Sequence, residues 1–231
     1  MFTKTVAEIC PPSSSNARGV IQGHKDTPLN DWGRFESKRL AEALKKYQIT
    51  EAYTSPLSRA SETAQIALAH RSDIPICSHP GLKERCLGTL EGRRQERGET
   101  APADAESKDA VSIRMRHWLD KLLASHIPPP SPLGATDQKG HFKDDTVILA
   151  VSHAGWLRVF LRTVLSSAYH FRPGKGCNLD GPLMNASVTV IDCEYDQLEK
   201  KWKGVINVWA DASHLKDVME KEVIEVADDV R

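Results

Sequence analysis

The chain has 231 residues, 40% hydrophobic and 27% charged, ordinary values for one large globular domain with enough length to bury a sizeable core. Lysine plus arginine equals aspartate plus glutamate at 31 each, so the net charge is zero; no nucleic-acid or anionic-membrane partner is expected, because either would favour a basic excess. No apolar run reaches bilayer-spanning length, and the start lacks an apolar signal region. Five scattered cysteines (Cys10, Cys77, Cys86, Cys177 and Cys193) contain no C-x-x-C pair, which points to reduced thiols in a cytoplasmic protein without a metal site.

Phe2 to Ile9 has the length of a strand, but Lys4 and Glu8 fall on one face. Burying either unpaired costs several kcal/mol, so a weak or displaced first strand is expected. Pro11-Pro12-Ser13-Ser14-Ser15 reads as loop. Asn30 or Asp31 can cap a helix to about Tyr47, with Phe35, Leu40, Leu44 and Tyr47 forming an apolar stripe. Glu51 to Thr54 is a short strand candidate ending at Ser55-Pro56, and a helix follows from about Leu57 to Ala69.

A longer helix is expected from about Ala105 to Ser125, with Val111, Met115, Trp118 and Leu122 at three- and four-residue steps. Pro128-Pro129-Pro130-Ser131-Pro132 then opens an exposed stretch. Thr146 to Ser152 is continuous and rich in β-formers, as in a strand buried on both faces of a parallel sheet. A helix resumes near Ala154 to Leu165. Two late strands, about Ala186 to Cys193 and Lys203 to Trp209, read as a hairpin. The alternation predicts an α/β fold: a three-layer α/β/α sandwich with a mainly parallel sheet, and a site beyond the carboxyl ends of its strands. The expected organisation is an atypical segment at 1–15, a domain at 16–212 with an exposed insertion at 127–145, and a charged tail at 213–231.

Three residues stand where chemistry is possible. Arg59, in the first helical turn after a strand, can point a bidentate fork at a phosphoryl group, although a lone arginine there more often lies on a solvated face. His153 sits at a strand end beside Gly155, before a helix N-terminus. Glu84 is a loop carboxylate able to protonate a leaving alkoxide; its bland alternative is a surface pair with Arg85.

Together the segments carry more than each alone. The order is Asn16-x-x-Gly19-x-x-Gln22-Gly23-His-x-Asp-x-Pro28-Leu29, then Ser-Pro-Leu-x-Arg-Ala around Arg59. Next come Leu-x-Glu-x-x-x-Gly-x-x-Glu-Gly around Glu84 and Val-Ser-His-x-Gly around His153. This series resembles the histidine phosphatase (phosphoglycerate-mutase-like) superfamily from Asn16 to about Trp209. The Glu84 segment and Asn207-Val-Trp-Ala-Asp-Ala-Ser-His-Leu215 are most similar to fructose-2,6-bisphosphatases of the glycolysis-regulator type. The resemblance implies cofactor- and metal-independent hydrolysis of a small phosphorylated metabolite, a sugar bisphosphate being one such substrate. Arg59 and His153 would hold the phosphoryl oxygens with help from Asn16, Gln22 and Gly23. Glu84 would protonate the leaving oxygen, and His24 would belong to the rim. Arg59, His153 and Glu84 are therefore expected to converge on one anion-sized hollow.

One motif is missing. In the family the first strand ends in Arg-His-Gly, whose histidine attacks phosphorus; counting back from Asn16, those positions fall on Ile9, Cys10 and Pro11. The resemblance therefore implies a chain that is inactive or severely impaired, or one that serves as a non-catalytic module binding a phospho-ligand or a protein. Cys10 is a poor substitute, because seven residues separate it from Arg18 and the two prolines remove N–H donors that a phosphate cradle would use. The abrupt start of the similarity implies a separate origin for residues 1–15.

Overall fold

The computed structural model describes residues 2–9, as backbone, and residues 20–94, 96, 99–127, 146–166 and 168–217. The sequence-predicted Asn16, Cys10, nearly all of the 127–145 insertion and the tail from 218 lie outside them. Strands β1 (Phe2–Ile9), β2 (Glu51–Thr54), β3 (Ile76–Ser78), β4 (Thr146–Ser152), β5 (Phe171–Pro173), β6 (Val188–Asp196) and β7 (Lys201–Asp211) form one sheet in the order β3-β2-β4-β1-β6-β7-β5. Every neighbour pairing is parallel except β1 with β6 and β6 with β7, so β6 alone runs against the rest. The sheet is mainly parallel, as expected.

Helices α1 (Asp31–Leu44), α2 (Ser58–Ala67), α3 (Lys108–Ser125) and α4 (Ala154–Val164) cover the two faces. Alternate residues of β4 explain the layering. Val147, Leu149 and Val151 pack with Leu40 and Leu44 of α1 and Ala60, Ala64 and Ala67 of α2. Ile148 and Ala150 enter the opposite core with Val111, Met115 and Trp118 of α3 and Trp156, Leu157 and Phe160 of α4. A strand buried on both faces has no polar side, which is why β4 reads as an unbroken apolar run.

The helix ends follow local chemistry. The Asn30 side chain accepts from the Gly33 N–H at 2.7 Å and caps α1. Ser107 caps α3 in the same way through the Ala110 N–H at 3.0 Å, three residues later than the expected start. The α1 helix stops at Leu44 rather than Tyr47, and Phe35, placed on its apolar stripe, is 39% exposed and packs its ring on Trp32 instead. The late hairpin is present, longer than expected at both strands. Strands β3 and β5, three residues each, carry too little periodicity to be seen in the sequence.

The expectation of a weak or displaced first strand is corrected. Strand β1 is central, in register with β4 from Thr3 opposite Thr146 to Ile9 opposite Ser152, and with β6 from Phe2 opposite Glu194 to Glu8 opposite Val188. The reason is the backbone. Both β4 and β6 present a row of N–H and C=O groups on this side, and each one left unpaired in the interior costs about 1–3 kcal/mol. A ladder of seven registered pairs on each edge holds β1 in the middle of the sheet.

Candidate functional site

The carboxyl ends of β2 and β4 lie side by side, Thr54 opposite Val151, so the residues that follow them are brought together. His153 directly follows β4, in extended backbone, and is the residue from which α4 starts. It is buried, and its Nε2 lies 2.9 Å from the hydroxyl of Ser55, the residue after β2. Burial, reinforced by the nearby Arg59 guanidinium, pushes the His153 pKa well below its ordinary value, so the ring is neutral.

Arg59, in the first turn of α2, does not lie on a solvated face. It is only 3% exposed, and its guanidinium donates to the carbonyls of Gly23 at 2.9 Å and Lys25 at 3.1 Å. It therefore holds the 22–25 loop over the strand ends. Within that loop, Gln22 is buried and accepts from the Thr27 hydroxyl. Gly23 has φ +52°, a left-handed conformation, and a side chain there would strike the Glu91 carboxylate.

Glu84 reaches the same place from the third side. Its carboxylate accepts from the Gly155 N–H at 3.0 Å and from the Arg85 N–H at 2.7 Å. It thus sits on the N-terminus of α4, where unpaired N–H groups and the helix dipole favour negative charge. Gly155 permits this because a Cβ at that position would collide with the carboxylate. The surface pair with Arg85 does not form; the Arg85 side chain donates to the Glu106 carbonyl instead. His24 closes the ring of contacts, its Nε2 lying 2.7 Å from the Glu84 carbonyl. Burial and the charge of Lys83 lower the His24 pKa.

Arg59 is bonded to Gly23 in the 22–25 loop, His24 of that loop to the Glu84 carbonyl, and the Glu84 carboxylate to Gly155, two residues after His153, which itself bonds Ser55. Other residues tie the site together, among them Glu91, the second glutamate of the motif around Glu84, to which sequence reasoning assigns no role of its own. Glu91 accepts from the N–H groups of His24 and Leu87, both at 2.8 Å. Burial tends to raise its pKa, but those N–H donors outweigh it and hold the pKa below the ordinary value. A short ladder joins the same loops, Ile21 N–H to Arg93 and Gly92 N–H to Ile21. Ser152 donates to the Leu82 carbonyl at 2.8 Å, fastening the end of β4 to the turn before Glu84. Among the described residues no cluster of histidine, cysteine, aspartate and glutamate is arranged to hold a metal ion, and no helix is long and apolar enough to cross a membrane.

The mycobacterial glucosyl-3-phosphoglycerate phosphatase, solved with VO3, superposes with a TM-score of 0.67 at 22% identity, covering 91% of this chain and 99% of its own, a likeness of fold. The phosphoglycerate mutase-like protein 4 of Arabidopsis thaliana is 32% identical over 212 residues, 89% of this chain and 84% of that protein. The fructose-2,6-bisphosphatase TIGAR B of Danio rerio is 28% identical over 177 residues, 64% of this chain and 68% of that protein. Residues 12–129 match the model of the histidine phosphatase superfamily, branch 1. The chain belongs to that superfamily.

Proposed function

We propose that the strand-end site takes the phosphoryl group of a small phosphorylated metabolite, such as a sugar bisphosphate, and that the parent chemistry is metal-independent phosphomonoester hydrolysis in the cytoplasm. The reading is supported by three groups set around the ends of β2 and β4: a buried guanidinium on the 22–25 loop (Arg59), a buried neutral imidazole on Ser55 (His153) and a carboxylate seated on the N-terminus of α4 (Glu84). A phosphoryl group carries close to two negative charges and suits a site with a fixed cation, a helix N-terminus and ring N–H donors. Arg59 and His153 hold the phosphoryl oxygens and Gln22 and Gly23 complete the cradle, a role the family resemblance also gives to Asn16, which lies outside the described residues. In the parent reaction the family's histidine, at the position of Cys10 here, attacks phosphorus as the bond to the leaving oxygen breaks, and Glu84 in its protonated form gives that oxygen its proton. Water then attacks phosphorus as the bond between phosphorus and that histidine breaks, gives a proton to the Glu84 carboxylate and leaves as part of the released phosphate.

The family nucleophile position falls on Cys10, with Ile9 and Pro11 on either side. The chain as written is on this reading inactive or severely impaired, because losing a covalent nucleophile removes a factor of order a millionfold in other enzymes. A second reading, a pseudophosphatase that binds a phospho-ligand or a protein, is favoured by one observation. Arg59, His153 and Glu84 are each held by their own partners, Gly23, Ser55 and Gly155, even though the sequence offers no histidine before them at that position.

The test is a phosphatase assay of the chain beside an Ile9→Arg, Cys10→His, Pro11→Gly variant, on p-nitrophenyl phosphate and fructose bisphosphates, with calorimetric titration of inorganic phosphate. The expected result is phosphate binding by both, turnover only in the variant, and loss of binding on Arg59→Ala. Binding without recovered turnover supports the non-catalytic module. If neither protein binds phosphate, the phosphatase reading and the phospho-ligand form of the second reading both fail.

A further inference from the structure

We infer that the Arg114–Glu106 ion pair is a positioning clamp that sets where Glu84 stands. The inference rests on the reading of Glu84 as proton donor. Arg114 lies on α3, and its guanidinium forms a bidentate pair with Glu106: Nε to Oε1 at 2.7 Å and Nη2 to Oε2 at 3.0 Å. The pair is largely shielded, at 22% and 16% side-chain exposure. The same guanidinium donates to main-chain carbonyls on the turn leading into Glu84: Gly81 at 3.1 Å, Lys83 at 2.8 Å and Glu84 itself at 2.8 Å.

Glu106 holds the other side. Its carboxylate accepts from the Cys86 N–H at 3.2 Å, its carbonyl accepts from the Arg85 side chain at 2.6 Å, and its N–H donates to the Cys86 carbonyl at 2.9 Å. Residues 81–84 therefore hang from Arg114 and residues 85–86 from Glu106, with Glu84 at the junction. Burial tends to raise the Glu106 pKa, but Arg114 outweighs it and holds the carboxyl below its ordinary value, so the pair is charged.

Only a planar guanidinium with five donors can serve a carboxylate and several carbonyls at once; an ammonium has three donors and no fork. The His24 ring shares the Glu84 carbonyl with Arg114, so the clamp also fixes the rim imidazole. Neither member of the pair needs to touch substrate. They act through the loop.

The clamp is tested in the full chain with Arg114→Lys, Arg114→Met and Glu106→Gln, following amide exchange by NMR. The informative amides are those of Arg85 and Gly155, which bond the Glu84 carboxylate. The expected result is exchange at least tenfold faster at these two amides in both Arg114 variants, with their proton resonances moving upfield. Amides of α1 and β2 keep their protection. Unchanged Arg85 and Gly155 amides in a folded variant overturn the proposal, and so does uniform acceleration across all elements, which marks a merely structural role. Native protection in Arg114→Lys overturns the requirement for the fork. Should Arg114→Met fail to fold, the other two variants carry the same comparison. Titration with inorganic phosphate is read separately: no binding by the unaltered chain sinks the phosphatase reading, while the exchange data still decide the clamp.

Discussion

Burial of the His153 imidazole against the Ser55 hydroxyl, next to a fixed guanidinium, has a consequence for stability as well as for ligand binding. The folded protein refuses a proton that the unfolded chain accepts near the ordinary histidine value of about 6.5. Below that pH the unfolded state binds more protons than the native state, so stability falls as the pH falls, until the depressed native pKa is reached. Urea unfolding between pH 7 and 5 is expected to show this loss. His153→Gln should remove up to one proton from the slope, about 1.4 kcal/mol per pH unit. His24, His79 and His214 are also held below the ordinary value, mainly by burial, and keep part of the slope in the variant. An identical slope in the two proteins would show that His153 is not held neutral.

At the level of elements, each helix serves the site by where it begins. Helix α4 starts at His153 and offers its first N–H groups to Glu84; α2 starts just after Ser55-Pro56 and carries Arg59 in its first turn. Helix α1 starts at the end of the loop that Arg59 holds, and its Asn30 cap fixes that entry. Asn30→Ala is expected to cost about 1 kcal/mol through loss of the cap, visible as a lower melting temperature with the sheet core intact. A variant as stable as the parent would show that the loop, not the cap, sets the start of α1. Trp156, only 1% exposed, seats α4 by donating from Nε1 to the Gly81 carbonyl at 2.6 Å and by stacking on Phe160. The same Gly81 carbonyl accepts from Arg114, so helix packing and loop geometry meet at one oxygen.

For the whole molecule the decisive feature is the central place of β1. It joins the parallel half of the sheet, β3-β2-β4, to the β6-β7-β5 half. Removing residues 1–9 would expose the inner edges of β4 and β6 and separate the halves. Such a truncation is expected to abolish cooperative unfolding and near-ultraviolet circular dichroism. A truncated chain that still melts cooperatively would show that the halves can close on each other without β1. The two hydrophobic cores, one under α1 and α2 and one under α3 and α4, share β4, so loss of the strand beside it is felt on both faces.

The sequence by itself determined the elements whose pattern is local and strong. Strand β4 is an unbroken apolar run, α3 has a three- and four-residue stripe, and Asn30 and the Arg59, Glu84 and His153 segments are marked by short-range chemistry. It also determined the family, because several ordered motifs coincide. The tertiary structure alone decided the rest. The β1 strand stands in the middle of the sheet because its neighbours on both sides need backbone partners, a long-range demand that no window of sequence contains. Arg114 and Glu106 look like ordinary polar positions until folding brings them against the loop at residues 81–86. Hydrogen bonds between residues distant in the chain are written in the packing, and packing is where sequence periodicity stops being informative.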